Sequence, residues 1–343
     1  MDRSRPNRAG AAAAMLCVLA GCSTTGETPP MPVDELATEM SRRIETITLR
    51  DRQSDRVPRF NQAKTVACVT AEFKVHAEIP KELRHGVFAD ARSYPAYLRF
   101  ANATQADDAA RDIRGLSIRL SDVDAEVLWG EPGKQDFLLN SYPALFVATP
   151  EEFLAFIRAR EQGDELGFFL NPFDPHLKAL WTVFRARARH LSPLDIHYWS
   201  TVPFRLGEHT AQAVKYSVTP CSTYQTEVAV KPGKDQLRSA VVEHLRQAPA
   251  CLHFGVQLQT DPEAMPIEDA SVVWDEDQSP FIPVATITIP DQAVDDVDVL
   301  ARCERSRFNP WQSLPAHAPL GRMNAVRRRV YDAAADVRNA TEE

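Results

Sequence analysis

The chain has 343 residues, 44% hydrophobic and 25% charged, which is the usage of a globular protein long enough for one large domain or two small ones. Its formal charge of −8 argues against a nucleic-acid binder, which presents a basic face. No apolar run is long enough to cross a bilayer as a helix.

At the start of the chain Arg3, Arg5 and Arg8 precede the short apolar run AGAAAAMLCVLAG, the order of a signal peptide. The run ends Leu19-Ala20-Gly21-Cys22, which resembles the lipobox of bacterial lipoproteins. That pattern implies a signal over residues 1–21 and acylation of Cys22. With Ser23 after the cysteine, it also implies a periplasm-facing anchor in the outer membrane. An ordinary secretory signal with a chance cysteine is the alternative. Ser23 to Asp51 read as a polar tether rich in Thr, Pro and Glu, leaving residues 52–343 as the folded domain.

The first strong periodicity runs from Val66 to Ile79, where Ala67, Val69, Ala71, Phe73, Val75, Ala77 and Ile79 alternate with mostly polar neighbours from Thr70 onward. Alternation of that length predicts a half-buried strand. Period-two runs recur at Leu116–Leu120, Val214–Val218 and Leu252–Leu258, and from Val284. Strands on both sides of the chain's middle point to one closed antiparallel sheet rather than two domains. Between them, Thr149-Pro150-Glu151-Glu152 is a helix start with a capping box, and Phe153, Phe156 and Ile157 share its face. A second amphipathic segment, His176 to Arg189, carries arginines on its outer side. The cysteines beyond the signal, Cys68, Cys221, Cys251 and Cys303, match no zinc spacing. Cys221–Cys251 is the first disulfide to test, with buried free thiols as the alternative.

The last helix begins near Met323. Arg327, Tyr331 and Arg338 are spaced by four and seven residues, so they fall on one face. Nearby positive charge stabilises a phenolate, and a phenolate is a hard ligand for ferric iron. A tyrosine beside arginines on a surface helix is also a common and chemically empty arrangement.

Other stretches give that face a context. Arg-x-x-x-Tyr followed by Arg seven residues on resembles the proximal haem motif of the haem catalases. RDIRGLSIRL from Arg111 is similar to that family's Arg-Asp-x-Arg-Gly-Phe. Pro143-Ala144-Leu145-Phe146 followed by VATPEEFLAFI resembles its distal run, and RFNQAK, Arg59–Lys64, resembles its Arg-x-x-His-Ala-Lys. The four stand in the family's order over residues 55 to 340. The resemblance implies an α+β, mainly β fold: a catalase-like eight-stranded antiparallel barrel with a haem pocket and flanking helices. It is similar to the short branch of the superfamily, because the sequence ends five residues after Arg338.

By resemblance, ferric haem would have Tyr331 as proximal ligand and Arg327 as that ligand's hydrogen-bond partner. Arg59, Arg111 and Arg338 would meet the propionates, and Phe153 would pack over the haem face. Asn140 takes the distal asparagine position, since the gapless run favours it over Ser141. Leu145 stands where the family has a further aromatic. Gln62 stands where the family has its catalytic histidine. A carboxamide orients a ligand but does not titrate near neutral pH, and losing a positioned acid–base group costs about 100- to 10,000-fold. The nearest histidine in sequence, His76, lies outside any equivalent motif. The implied activity is weak peroxidase or organic-hydroperoxide chemistry, with peroxides or lipid hydroperoxides as substrates and poor catalase activity. The alternative is a non-catalytic haem-binding or haem-sensing envelope protein.

Overall fold

The alternating run beyond Lys64 forms β1, Lys64–Val75, in a computed structural model that describes residues 30–52, 57–210 and 212–340. Cys22 and the signal-like segment lie outside the described residues. The strand stops at Val75, short of the expected Ile79. Its second half alternates buried and exposed, whereas Thr65 to Val69 are buried on both faces. Elements covering the outside of the barrel explain the difference: Arg238 donates to the carbonyls of Thr65 and Val66.

The other strands are β2 (Ser93–Asn102), β3 (Arg114–Leu120), β4 (Gln135–Asn140), β5 (Tyr198–Trp199), β6 (Phe204–Arg205), β7 (Ala213–Pro220), β8 (Ala250–Leu258) and β9 (Ile282–Ile289). Antiparallel neighbours run β5-β4-β3-β2-β1-β9-β8-β7, and Tyr198 of β5 pairs with Val218 of β7. That last pairing closes an eight-stranded barrel, with β6 added beside β7, so no long edge is left open. One closed sheet was the expectation.

Aromatic rings fill the interior. Phe254 lies 4.8 Å from Phe137 and 5.3 Å from Phe73, ring centre to ring centre. Within them sits His317, whose Nε2 accepts the Val87 N–H at 3.0 Å, so that its Nδ1 faces Tyr216 Oη at 2.9 Å. Burial pulls His317 down to about 3, which keeps the ring neutral and the pair a structural one.

Seven helices surround the barrel among the described residues: α1 (Val33–Arg50), α2 (Pro150–Gln162), α3 (Glu165–Leu170), α4 (Leu177–Ala186), α5 (Gln236–Gln247), α6 (Val297–Arg305) and α7 (Gly321–Ala340). The α2 start is as expected: Thr149 Oγ1 accepts the Glu152 N–H at 3.2 Å, although the Glu152 carboxylate reaches back to Ala148 rather than to Thr149.

Helix α1 corrects the tether. Leu36, Ala37, Met40, Ile44 and Ile47 form a buried stripe that packs on Val326 and Val330 of α7 and on Leu154 and Ile157 of α2. Arg158 holds Glu39 through two bonds of 3.0 and 2.8 Å. The folded unit therefore begins at Met31, not at residue 52. The many charged and Thr residues between the apolar positions hid a helical repeat that tertiary burial selects.

Both cysteine pairs are bonded. Cys221–Cys251 is the pair singled out from the sequence, and Cys68–Cys303 joins β1 to α6 across 235 residues. These bonds replace the free-thiol alternative. A cross-link over so long a loop restricts the unfolded chain by roughly 5 kcal/mol in the loop-entropy model. Cys303→Ala should therefore unfold at a clearly lower urea midpoint than Cys221→Ala, whose loop is shorter. Equal midpoints would contradict that ranking.

Candidate functional site

The stretch Arg59–Lys64 leads into β1, and nearly every residue in it is tied down. Arg59 donates to the carbonyls of Glu304 (3.0 Å) and Ser306 (2.8 Å). Phe60 lies under the Arg160 guanidinium at 4.5 Å, the Ala63 N–H bonds Ala103 O at 3.2 Å, and Lys64 Nζ meets the buried Asp108 carboxylate at 2.9 Å. This frame holds Gln62 at φ +57°, a left-handed conformation uncommon for a side chain of this kind. The Gln62 N–H is satisfied by Asn61 Oδ1 at 2.9 Å.

Held this way, the Gln62 amide reaches Asn140 at the end of β4: Nε2 donates to Oδ1 at 2.8 Å. Gln62 Oε1 is buried and has no hydrogen-bond partner among the described residues. Burying an acceptor without a donor costs about 1–3 kcal/mol, so this oxygen is suited to a protic ligand. Ser141, the other registration, is committed elsewhere, since its hydroxyl accepts the Arg114 N–H at 2.8 Å.

Gly115 makes the contact possible. A Cβ there would lie 2.1 Å from Gln62 Oε1, so the missing side chain is the space the amide occupies. Because the obstructing atoms end a flexible side chain, Gly115→Ala should fold but push the amide off Asn140. We expect a loss of roughly 1 kcal/mol, the net worth of one hydrogen bond, in thermal unfolding, together with a functional change equal to that of Gln62→Ala. Full function with a displaced amide would remove Gln62 from the site.

On α7, Arg327 Nη2 donates to Tyr331 Oη at 3.0 Å, and its Nη1 donates to Asn324 Oδ1 at 2.9 Å. Arg338, two turns further on, is buried and donates to Ser306 O at 3.1 Å. Arg59 and Arg338 thus meet at one carbonyl. That shared carbonyl links the segment of Gln62 to α7, while no described contact joins the Gln62–Asn140 pair to the Tyr331–Arg327 pair. Phe153, Phe60 and Ala334 pack against the same apolar cluster as Val330, the residue before Tyr331.

Arg111 is not brought into this group by any described contact. Its Nε donates to Arg187 O at 3.0 Å, and its guanidinium lies 5.6 Å from the Phe184 ring centre. His76 is also remote, because the whole 12-residue β1 separates it from Gln62, about 40 Å of extended chain. There it bonds Thr286 Oγ1 at 2.8 Å, so no histidine rescue comes from that side.

Arg99 in β2 was missed from sequence. Its Nη2 donates to Gln62 O at 2.8 Å and its Nε to Thr65 Oγ1 at 3.0 Å. Burial pulls its guanidinium well below the usual arginine range; the neighbouring Arg59 and Arg338 add to this, while Glu304 opposes it. Arg59 and Arg338 thus lie near enough to Arg99 to act on its charge, with the Glu304 carboxylate among them, 3.9 Å from Arg59. The available signal was a charged residue between Leu98 and Phe100 in an otherwise apolar strand.

No family model matches the chain. It is 25% identical over 261 residues to the allene oxide synthase-lipoxygenase protein of Plexaura homomalla, which takes in 67% of this chain and 23% of that protein. Catalase A from Saccharomyces cerevisiae superposes with a TM-score of 0.64 at 17% identity, covering 84% of this chain and 62% of that one. A fungal catalase gives 0.63 at 17% identity, with 84% and 60% covered. A bacterial catalase gives 0.63 at 16% identity, with 98% and 67% covered. The closed barrel, its flanking helices and these superpositions together give this chain the catalase-like fold.

Proposed function

We propose that this protein binds haem and acts on organic hydroperoxides, with little capacity to disproportionate hydrogen peroxide. The observation that carries the reading is the buried, unpartnered Gln62 Oε1 beside Asn140. The residues suit haem on two further counts. Tyr331 Oη offers an oxygen donor atom that a guanidinium already hydrogen-bonds, and Arg99 and Arg338 are buried positive groups of the kind that meets carboxylate side chains. The relative named for allene oxide synthesis supports rearrangement over dismutation.

When bound, haem iron supplies the redox chemistry that breaks a peroxide O–O bond. Gln62 Oε1 accepts the hydroperoxide O–H, while Asn140, whose Oδ1 is taken by Gln62, offers its Nδ2 as a donor. Arg99 fixes the Gln62 backbone and thereby the amide. Neither carboxamide changes protonation near neutral pH, so the pair orients a substrate without carrying its proton. The lipobox-like segment supports an envelope location with the site near membrane lipid.

The test is the absorption spectrum of the protein after haem supply, followed by addition of a fatty-acid hydroperoxide and, separately, hydrogen peroxide. A Soret band with consumption of the organic hydroperoxide and slow oxygen release from hydrogen peroxide is expected. A haem spectrum without turnover of either would favour the sensing alternative, and no Soret band would refute both.

A further inference from the structure

The segment between α2 and β5 has an outer surface unlike the rest of the protein. Phe173 is 96% exposed, and Leu166, Leu170, Leu177, Trp181 and Phe184 are each more than half exposed. Leu177, Trp181 and Phe184 recur at four and three residues, one face of α4, and the Trp181 and Phe184 rings stack at 5.8 Å. The loop carrying the exposed Val273 lies beside this face, where Lys178 Nζ donates to Ser271 Oγ at 3.1 Å. An exposed apolar patch of this kind marks an interaction site.

Charge selects the occupant. From Pro175 to Leu194 the chain has Lys178, Arg185, Arg187 and Arg189 and no Asp or Glu. That run of four positive charges lies in a protein of net charge −8. The acidic residues of the segment flank this run: Asp164, Glu165 and Asp174 precede α4, and Asp195 follows the last of the cations. The sequence expectation of arginines on the outer side is thereby refined: the exposed face is aromatic, with the cations beside it. Aromatic and leucine side chains on one face with Lys and Arg at its border is the composition of a helix lying in a membrane interface. Among the described residues no helix is long and apolar enough to cross a membrane, so this surface can lie on a bilayer but not span it.

We propose that α3, α4 and the loop between them dock on an anionic phospholipid surface. Phe173, Trp181 and Phe184 enter the headgroup region, and Lys178, Arg185 and Arg189 meet lipid phosphates. This inference does not depend on haem or on turnover. It does connect with the site, because α3 also carries the buried Phe168 and Phe169, which pack on Phe156 at 5.5 and 6.0 Å, and Phe156 stacks on Phe153 at 6.3 Å. The docking surface and the proposed site thus share an aromatic wall.

Hydrogen–deuterium exchange on the full chain tests this independently of any N-terminal anchor, because it reports each segment separately. Vesicles of phosphatidylglycerol and phosphatidylethanolamine should slow exchange across residues 166–189, and vesicles of phosphatidylcholine alone should not. Phe173→Ser with Trp181→Ser should abolish the slowing there while barrel amides keep their protection, which shows that the variant folds. Lys178→Gln and Arg185→Gln should each raise the anionic-lipid concentration needed for half-protection by about fivefold. Vesicle-bound protein with unchanged exchange over 166–189 overturns the proposal. So does protection that appears without vesicles and grows with protein concentration, which would identify the patch as a face between two copies of this chain.

Discussion

Gln62→His should raise oxygen release from hydrogen peroxide by about 100- to 10,000-fold, the range for installing a positioned acid–base group. The expectation rests on position. Arg59, Ala63 and Lys64 pin the backbone on both sides of residue 62, so an imidazole there inherits the direction of the amide. Gly115 leaves room for the side chain of residue 62, now filled by the Gln62 amide, and Asn140 Oδ1, bonded to Gln62 at 2.8 Å, can accept a ring N–H. Histidine changes protonation near neutral pH, which lets the variant take the first peroxide proton and return it to the leaving oxygen. The same change should slow consumption of bulky organic hydroperoxides, since the acceptor oxygen that orients them is gone. An oxygen-electrode trace indistinguishable from that of the parent protein would mean residue 62 does not face the reacting oxygens.

Tyr331→Phe should eliminate the Soret band while leaving the barrel folded. The substitution removes one oxygen atom. The ring stays beneath the Arg327 guanidinium, 5.1 Å from its centre, and α7 keeps its packing on α1 through Val326 and Val330. The cost to folding is one hydrogen bond, about 1 kcal/mol, which a urea titration should register as a small shift. The cost to haem binding, under the proposed ligation, is the ligand atom itself. Arg327→Ala should act in the same direction more weakly, leaving a haem spectrum with altered band positions, since it removes the donor to the ligand rather than the ligand. A Tyr331→Phe protein that holds haem with an unchanged spectrum would move the proximal side elsewhere and would separate the fold from the proposed cofactor site.

Much of the architecture was legible in the sequence because local patterns carry it. Strict alternation through Phe73 and Val75 is the signature of a strand with one buried face, and Thr149-Pro150 marks the start of α2 through capping that needs no distant partner. Gln62 and Asn140 stood out in the sequence only as two positions in motifs that the resemblance ordered; the hydrogen bond between their amides came from the structure.

Other features depended on contacts between distant residues. Helix α1 looked like a tether because its apolar stripe acquires meaning only against Val326 and Val330, nearly 300 residues later in sequence. Arg99 passed as an ordinary strand residue because its partners, the Gln62 carbonyl and Thr65 hydroxyl, sit on another strand and its entry. Arg111 kept its motif but was drawn to Phe184 and Arg187, because α4 packs beside it. The Cys68–Cys303 bond likewise joins ends of the chain that no spacing rule connects. By itself the sequence determined the strand periods, the helix starts and the chemical identity of Gln62, all properties of residues and their near neighbours. Tertiary structure alone decided which charges gather around that amide and which apolar faces remain uncovered, because burial and long-range hydrogen bonds are properties of the closed barrel and its surrounding helices.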